Sequence, residues 1–201
     1  MHILNKISLT VLFLFVLVFN AKQSHAQYSI IPKVRFNSTI SVQQIEMTKL
    51  KGINGIDIGI ELQGKGNIYF NPGIFYTEFS TNLIHTDITN TVELKIAKVH
   101  HRIIKLPLNL GMYLTDKNKN ISLRFLLGFQ PVIRIGRADL KSLNLEDSII
   151  QKNFVVYGTF GIGIDFKKLV FDVGYEIDYF RLFFNSDKAT NFFTVGLGYR
   201  I

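Results

Sequence analysis

Between Gly55 and Gly64 the chain reads GIDIGIELQG, with Ile56, Ile58, Ile60 and Leu62 at every second position and Asp57, Gly59 and Glu61 between them. Side chains alternate across a strand, so this run has one continuously apolar face and one carrying acids and a glycine. The same period of two recurs down the chain, and no sustained period of 3.6 interrupts it. It predicts eight strands, near residues 28–37, 53–63, 67–79, 100–114, 120–135, 153–166, 169–180 and 191–201. No segment reads as a linker, a low-complexity tract or a second domain.

The faces separate cleanly in four of these runs. In RIIKLPLNLGMYL, Ile104, Leu106, Leu108, Leu110, Met112 and Leu114 oppose Lys105, Pro107, Asn109, Gly111 and Tyr113. Val156, Phe160, Ile162 and Ile164 oppose Tyr157, Thr159, Gly161, Gly163 and Asp165. Leu169, Phe171, Val173, Tyr175, Ile177 and Tyr179 oppose Asp172, Gly174, Glu176 and Asp178, and Phe193, Val195, Leu197, Tyr199 and Ile201 oppose Thr194, Gly196, Gly198 and Arg200. The run at 67–79 has large residues on both faces.

Alternation alone does not say which face is inside, because a soluble lipid-binding barrel alternates too. Three features point the apolar face outward. The runs are long enough to cross a bilayer when tilted. The other face mixes glycine with both signs of charge, Lys105, Arg124, Arg134 and Arg200 against Asp57, Glu61, Asp165, Asp172, Glu176 and Asp178. That suits a narrow interior in which charges pair. Connections alternate in length: short at GKG (64–66), DKNKN (116–120) and KK (167–168), long and polar near 38–52, 80–99, 136–152 and 181–190. Short turns on one side and long loops on the other characterise outer-membrane barrels. The pattern therefore predicts an all-β, eight-stranded antiparallel up-and-down transmembrane β-barrel. Aromatic residues at the strand ends predict two girdles: Phe36, Phe79, Phe154, Tyr179 and Phe192 by the long loops, and Tyr28, Tyr69, Tyr113, Phe166 and Tyr199 by the short turns.

Composition narrows the chemistry. The absence of cysteine excludes disulfides, thiolate metal sites, a cysteine nucleophile and a lipidated-cysteine anchor. Residues 1–26 read as a signal peptide: a basic start with Lys6, the apolar run ISLTVLFLFVLVF, then Ser24-His25-Ala26 as a small-x-small cleavage site. That leaves a barrel domain at 27–201. The formal charge of +8 loses Lys6 and Lys22, leaving +6.

With these features placed, the chain resembles a known family. HRIIKLPLNLGMYL (101–114) is similar to the YLEIPLLLKY signature of the PorT-like outer-membrane β-barrel family of Bacteroidetes. SLRFLLGFQPVI (122–133) and FFTVGLGYRI (192–201) resemble its next and closing strands. Lys105 stands where the family commonly has an acid, and the chain ends in Ile201 rather than an aromatic. The resemblance implies an eight-stranded barrel in the outer membrane of a Gram-negative bacterium. Its namesake is linked to type IX protein secretion.

Candidate chemistry is sparse. His100 and His101 are adjacent, so a strand points them to opposite faces and they cannot chelate one metal. Ser80, His85, Asp87 and His100 could converge at the outer rim as a lipid A-modifying hydrolase, though nothing in their spacing demands it. The Gly-x-Gly pairs at 161/163 and 196/198 lie inside strands and are not nucleotide loops. Two glycosylation-type sequons, Asn37-Ser38-Thr39 and Asn120-Ile121-Ser122, read as coincidence in a bacterial protein. The sequence thus points to no catalytic residue, cofactor or metal. Lys49, Lys51, Lys95, Lys98, Arg102, Arg137, Lys141, Lys152, Arg181 and Lys188 lie in or beside the long segments, with Glu46, Glu93, Glu146 and Asp147 among them. They read either as a solvated loop surface or as a basic rim for lipopolysaccharide phosphates. The expectation is a monomeric, non-enzymatic barrel with a side-chain-filled lumen. It would act through its long loops on outer-membrane lipid or a protein partner, and not on nucleic acid. The alternatives are a lipid A-modifying enzyme, a type IX secretion component or a soluble exported lipid-binding barrel.

Overall fold

The computed structural model describes residues 28–39, 43–45, 48–86, 93–116, 120–135, 153–179 and 190–201. The expected signal peptide lies outside them, as do 136–152 and 181–189. Ten strands are present: β1 (Tyr28–Thr39), β2 (Gln43–Ile45), β3 (Thr48–Gly64), β4 (Ile68–Thr86), β5 (Glu93–Lys105), β6 (Leu108–Tyr113), β7 (Ile121–Arg134), β8 (Phe154–Phe166), β9 (Leu169–Asp178) and β10 (Phe192–Tyr199). They make eight staves. β5 and β6 are one stave interrupted at Leu106–Pro107, where proline has no N–H to give the ladder. β2 is a short piece that pairs only with the start of β3.

Every neighbour in the wall is antiparallel, and β10 pairs back with β1, closing the barrel. One cross-strand row runs Ile164–Phe171–Leu197–Val34–Ile58–Tyr76–Ile104–Ile133–Phe154. It leaves β8 at residue 164 and returns to it at 154, a stagger of ten residues. At about 3.3 Å per residue, against eight strands about 4.8 Å apart, that stagger tilts the strands by about 40°.

The apolar face points outward throughout. Ile58, Leu110, Ile162 and Leu197 are each more than half exposed, while Lys33, Asp57, Lys105 and Arg124 are buried. The ambiguous run at 67–79 resolves the same way: Ile68, Ile74 and Tyr76 face out, and Tyr69, Asn71, Phe75, Thr77 and Phe79 face in. The short turns hold as well. Phe166 pairs with Leu169 across a two-residue turn, and Lys167 takes a left-handed φ of 54° there.

Two expectations need correction. The segments near 38–52 and 80–99 are in large part strand, since β3 starts at Thr48, β4 runs to Thr86 and β5 starts at Glu93. Above the bilayer both faces of a hairpin meet water, so the apolar–polar alternation that marks a strand disappears. The girdles are also thinner than expected. Phe36, Phe154, Tyr179, Tyr28, Phe166 and Tyr199 are exposed on the wall, but Phe79, Phe192 and Tyr69 are buried inside and Tyr113 also points inward. Their position in the alternation, not their nearness to a strand end, decides the face.

Candidate functional site

The inward residues of the eight staves meet across the barrel. β1 contributes Lys33 and Arg35, β3 Asp57 and Glu61, β5 Lys105, β7 Arg124, β8 Asp165, and β9 Asp172 and Glu176, with Arg200 just past β10. Five of the inward cations therefore face five of the inward carboxylates, while Asp178 of β9, also buried, accepts from the Thr190 N–H. Lys105 Nζ lies 2.9 Å from Glu176 Oε2 and 3.5 Å from Asp57 Oδ2. Asp57 also holds Arg35, at 2.9 Å from Nη2, and accepts from Asn37. In a second chain Lys33 bridges Glu61 and Asp172, Arg124 bridges Asp172 and Asp165, and Arg200 pairs with Asp165. Tyr113 Oη donates to Asp165 at 2.8 Å, and Arg200 donates to Gln63 Oε1 at 2.7 Å. In a confined lumen each ion must find a counter-ion, because an uncompensated buried charge costs several kcal/mol. Lys33, Lys105 and Arg124 bridge two carboxylates each, so the network crosses the bore.

Aromatic layers bracket the ions. Toward the long-loop end Phe79 stacks on His101 at 4.8 Å and meets Phe192 at 6.0 Å, and Tyr157 meets Phe192 at 5.9 Å. Arg35 lies 3.8 Å over the Phe75 ring, a cation–π contact. Toward the short turns Tyr69 and Tyr113 pack at 5.3 Å. Gly111 makes room for this layer, since a Cβ there would lie 2.2 Å from the Tyr69 ring. A small cavity of about 40 Å³ lies beside Asn109, Gln130, Thr159 and Glu176. The buried amide of Gln130 makes no hydrogen bond to protein. The cavity is polar and large enough for water, not for a solute.

The expected pairings of Lys105, Arg124 and Arg200 are present. Lys33 and Arg35 were missed, although Ile31, Lys33, Arg35 and Asn37 alternate with Pro32, Val34 and Phe36 in a readable pattern. Lys105 is satisfied by the carboxylates of β3 and β9.

The histidines behave as their adjacency predicts: His101 is buried in the lumen and His100 is exposed on the outer wall. Of the hydrolase constellation, Ser80 and His100 do meet, with Oγ 3.1 Å from Nδ1. Asp87 lies outside the described residues, and nothing is described of the His85 side chain. Among the described residues no three of His, Asp and Glu gather as a metal site. Of the basic rim, Arg102 alone has a described side chain; it stands on the outer wall beside Glu78.

Comparison with known proteins agrees with this architecture. The outer membrane protein OprG of Pseudomonas aeruginosa superposes with a TM-score of 0.58 at 13% identity, covering 88% of this chain and 96% of its own. Ail, the attachment invasion locus protein of Yersinia pestis, solved with the heparin analogue sucrose octasulfate, has 14% identity and a TM-score of 0.42, covering 87% of this chain and 99% of its own. No curated protein matches the sequence significantly. The model of the outer membrane protein beta-barrel domain matches residues 11–200. With its closed eight-stave wall and apolar exterior, the protein resides in the outer membrane of a Gram-negative bacterium and belongs to the outer membrane protein beta-barrel domain family.

Proposed function

We propose that this is a non-enzymatic barrel whose lumen is a structural core and whose working surface is its outer wall and outer loops. The ion-pair network spanning the bore carries this reading. Eight strands enclose a space that side chains fill, whereas porins with an aqueous channel use about 16. Planar-bilayer recording of the refolded protein tests it: the expected result is little or no current. Stable porin-sized channels, with selectivity altered by Arg124→Ala or Glu176→Ala, would revive transport. The partner in this reading is outer-membrane lipid, lipopolysaccharide in particular, with a protein partner at the loops as the further role. The barrel is monomeric, and residues 1–26 are removed after Ala26, which intact mass of the purified protein would check.

The resemblance at 101–114, 122–133 and 192–201 supports a PorT-like reading of the chain within its family. A role in type IX protein secretion follows from that resemblance alone, and co-purification of secretion components tests it. A second reading, a lipid-modifying hydrolase, is favoured by the Ser80–His100 contact, since an imidazole can take the proton of an attacking hydroxyl. If Ser80→Ala changes the mass spectrum of lipid A in the producing cell, that reading replaces the first.

A further inference from the structure

Most of the outer wall is apolar, and one part departs from it. At the long-loop end of β1, β3, β4 and β5, successive cross-strand rows change character within four residues. The row Val34–Ile58–Tyr76–Ile104 is apolar, the next is Phe36–Ile56–Glu78–Arg102, and the next is Ser38–Asn54–Ser80–His100. All of these positions share the outward parity of the lipid-facing residues. The transition marks the level at which hydrocarbon gives way to headgroups. On the same stave as Arg102, the outward run Ile104–Leu114 covers about 25 Å along the barrel axis at the tilt given above, the height of an outer-membrane barrel's apolar band.

Arg102 is the unusual member. Its side chain is 62% exposed, and its closest acidic oxygen, Glu78 Oε1, is 3.9 Å from Nε, too far for a hydrogen bond. Among the described residues its guanidinium makes no hydrogen bond, in contrast to the cations of the lumen. A guanidinium at the edge of hydrocarbon, with its fork of donors unused by the described residues, is matched by a phosphate, which it binds bidentately. Beside it runs an open groove of about 480 Å³. Ile56, Ile58 and Tyr76 form its membrane-ward part, and Asn54, Ser80 and His100 its loop-ward part. The groove is apolar where an acyl chain would lie and rich in hydrogen-bonding groups where a headgroup would lie.

The geometry points to a docking site for a phosphorylated lipid of the outer leaflet, with its phosphate on Arg102, its sugar or ester oxygens on Asn54, Ser80 and His100, and an acyl chain along Ile56, Ile58 and Tyr76. This rests on the reading of the outer surface as the working surface, and it assigns that surface a ligand and a place. Glu78 holds Arg102 loosely and repels the phosphate, so it limits affinity.

The test uses the full folded chain in phosphatidylcholine nanodiscs that contain equal amounts of lipid A and of the same lipid A stripped of phosphate. Native mass spectrometry reads which lipid stays bound. The parent protein is expected to retain the phosphorylated form about tenfold over the other, as one charge-assisted bidentate contact allows. Arg102→Gln should bring the two forms near parity, Arg102→Lys should keep part of the preference, and Glu78→Gln should increase it. A heat-modifiability gel confirms that each variant is folded. If the parent protein shows no preference, both the site and the lipid-binding reading fall. A preference left unchanged by Arg102→Gln would remove this site and leave lipid binding to the loops.

Discussion

Two ion pairs in this barrel are built from the same chemistry and do opposite things. Lys105 and Glu176 meet at 2.9 Å inside the lumen, where both side chains are almost wholly buried. Glu78 and Arg102 face each other at 3.9 Å on the outer wall, about half exposed. The inner ions have exchanged water for each other and cannot be separated cheaply. The outer ions keep their solvation and their freedom, and such pairs contribute little to stability. One wall thus carries a structural electrostatic core on its inner side and an uncommitted charge on its outer side. Only the second is available to a ligand.

Substitutions can break or sharpen that contrast. The largest effect is expected inside. Arg124→Leu leaves Asp165 and Asp172 without their shared guanidinium, and should cost about 3–5 kcal/mol in a denaturant titration of the barrel in lipid vesicles. Adding Asp172→Asn should recover part of the loss, because fewer negative charges then remain unmatched. Next come the lipid-facing positions. Leu108→Arg and Val173→Arg should each cost about 2–4 kcal/mol near the midplane in the same assay, and Ile58→Arg, nearer the headgroups, less than either. Costs near zero at all three would mean that the inner and outer faces had been exchanged.

A smaller effect is expected from volume alone. A Cβ at Gly163 would lie 2.5 Å from both Arg124 Nε and Asp172 Oδ1, so Gly163→Val must displace that pair. The expected loss is about 1–3 kcal/mol, as for other overpacked sites. The smallest belongs to the outer pair: Glu78→Gln should change stability by about 1 kcal/mol or less. A cost there as large as that of Arg124→Leu would erase the distinction between the two pairs.

How far the fold was legible follows from the same contrast. Where one side of a strand meets lipid and the other meets the lumen, alternation survives, and β8, β9 and β10 could be read residue by residue. Beyond the bilayer both faces are wet, and the ends of β3, β4 and β5 carried no such signal. Phe79 and Phe192 were misread because an aromatic near a strand end suits a girdle. Yet Phe79 shares its parity with Thr77 and Phe75, and Phe192 with Thr194 and Gly196, all of them inward. The cast of charges was mostly visible, but the partners were not. That Arg124 meets Asp165 and Asp172 depends on the register between β7, β8 and β9, which no single strand encodes. The outer groove was not legible at all, since it arises from rows that run across β3 and β4.

The path of Lys33 bears on how the wall is sealed during assembly. Its chain passes over Gly196 and Gly198 of β10, within 3.6 Å and 3.3 Å of where their Cβ atoms would be, and ends on Asp172 of β9. The two ends of the barrel domain, β1 and β10, meet at this seam, so the contact forms only when the sheet closes on itself. A slip of two residues at the seam would keep every side chain on its proper face, and hydrophobicity alone would not reject it. It would, however, move Lys33 about 6.6 Å along from Asp172. The bare glycine strip and the long cation that crosses it to β9 therefore act as a latch that recognises one alignment of first strand and last, and so set the circumference of the finished barrel.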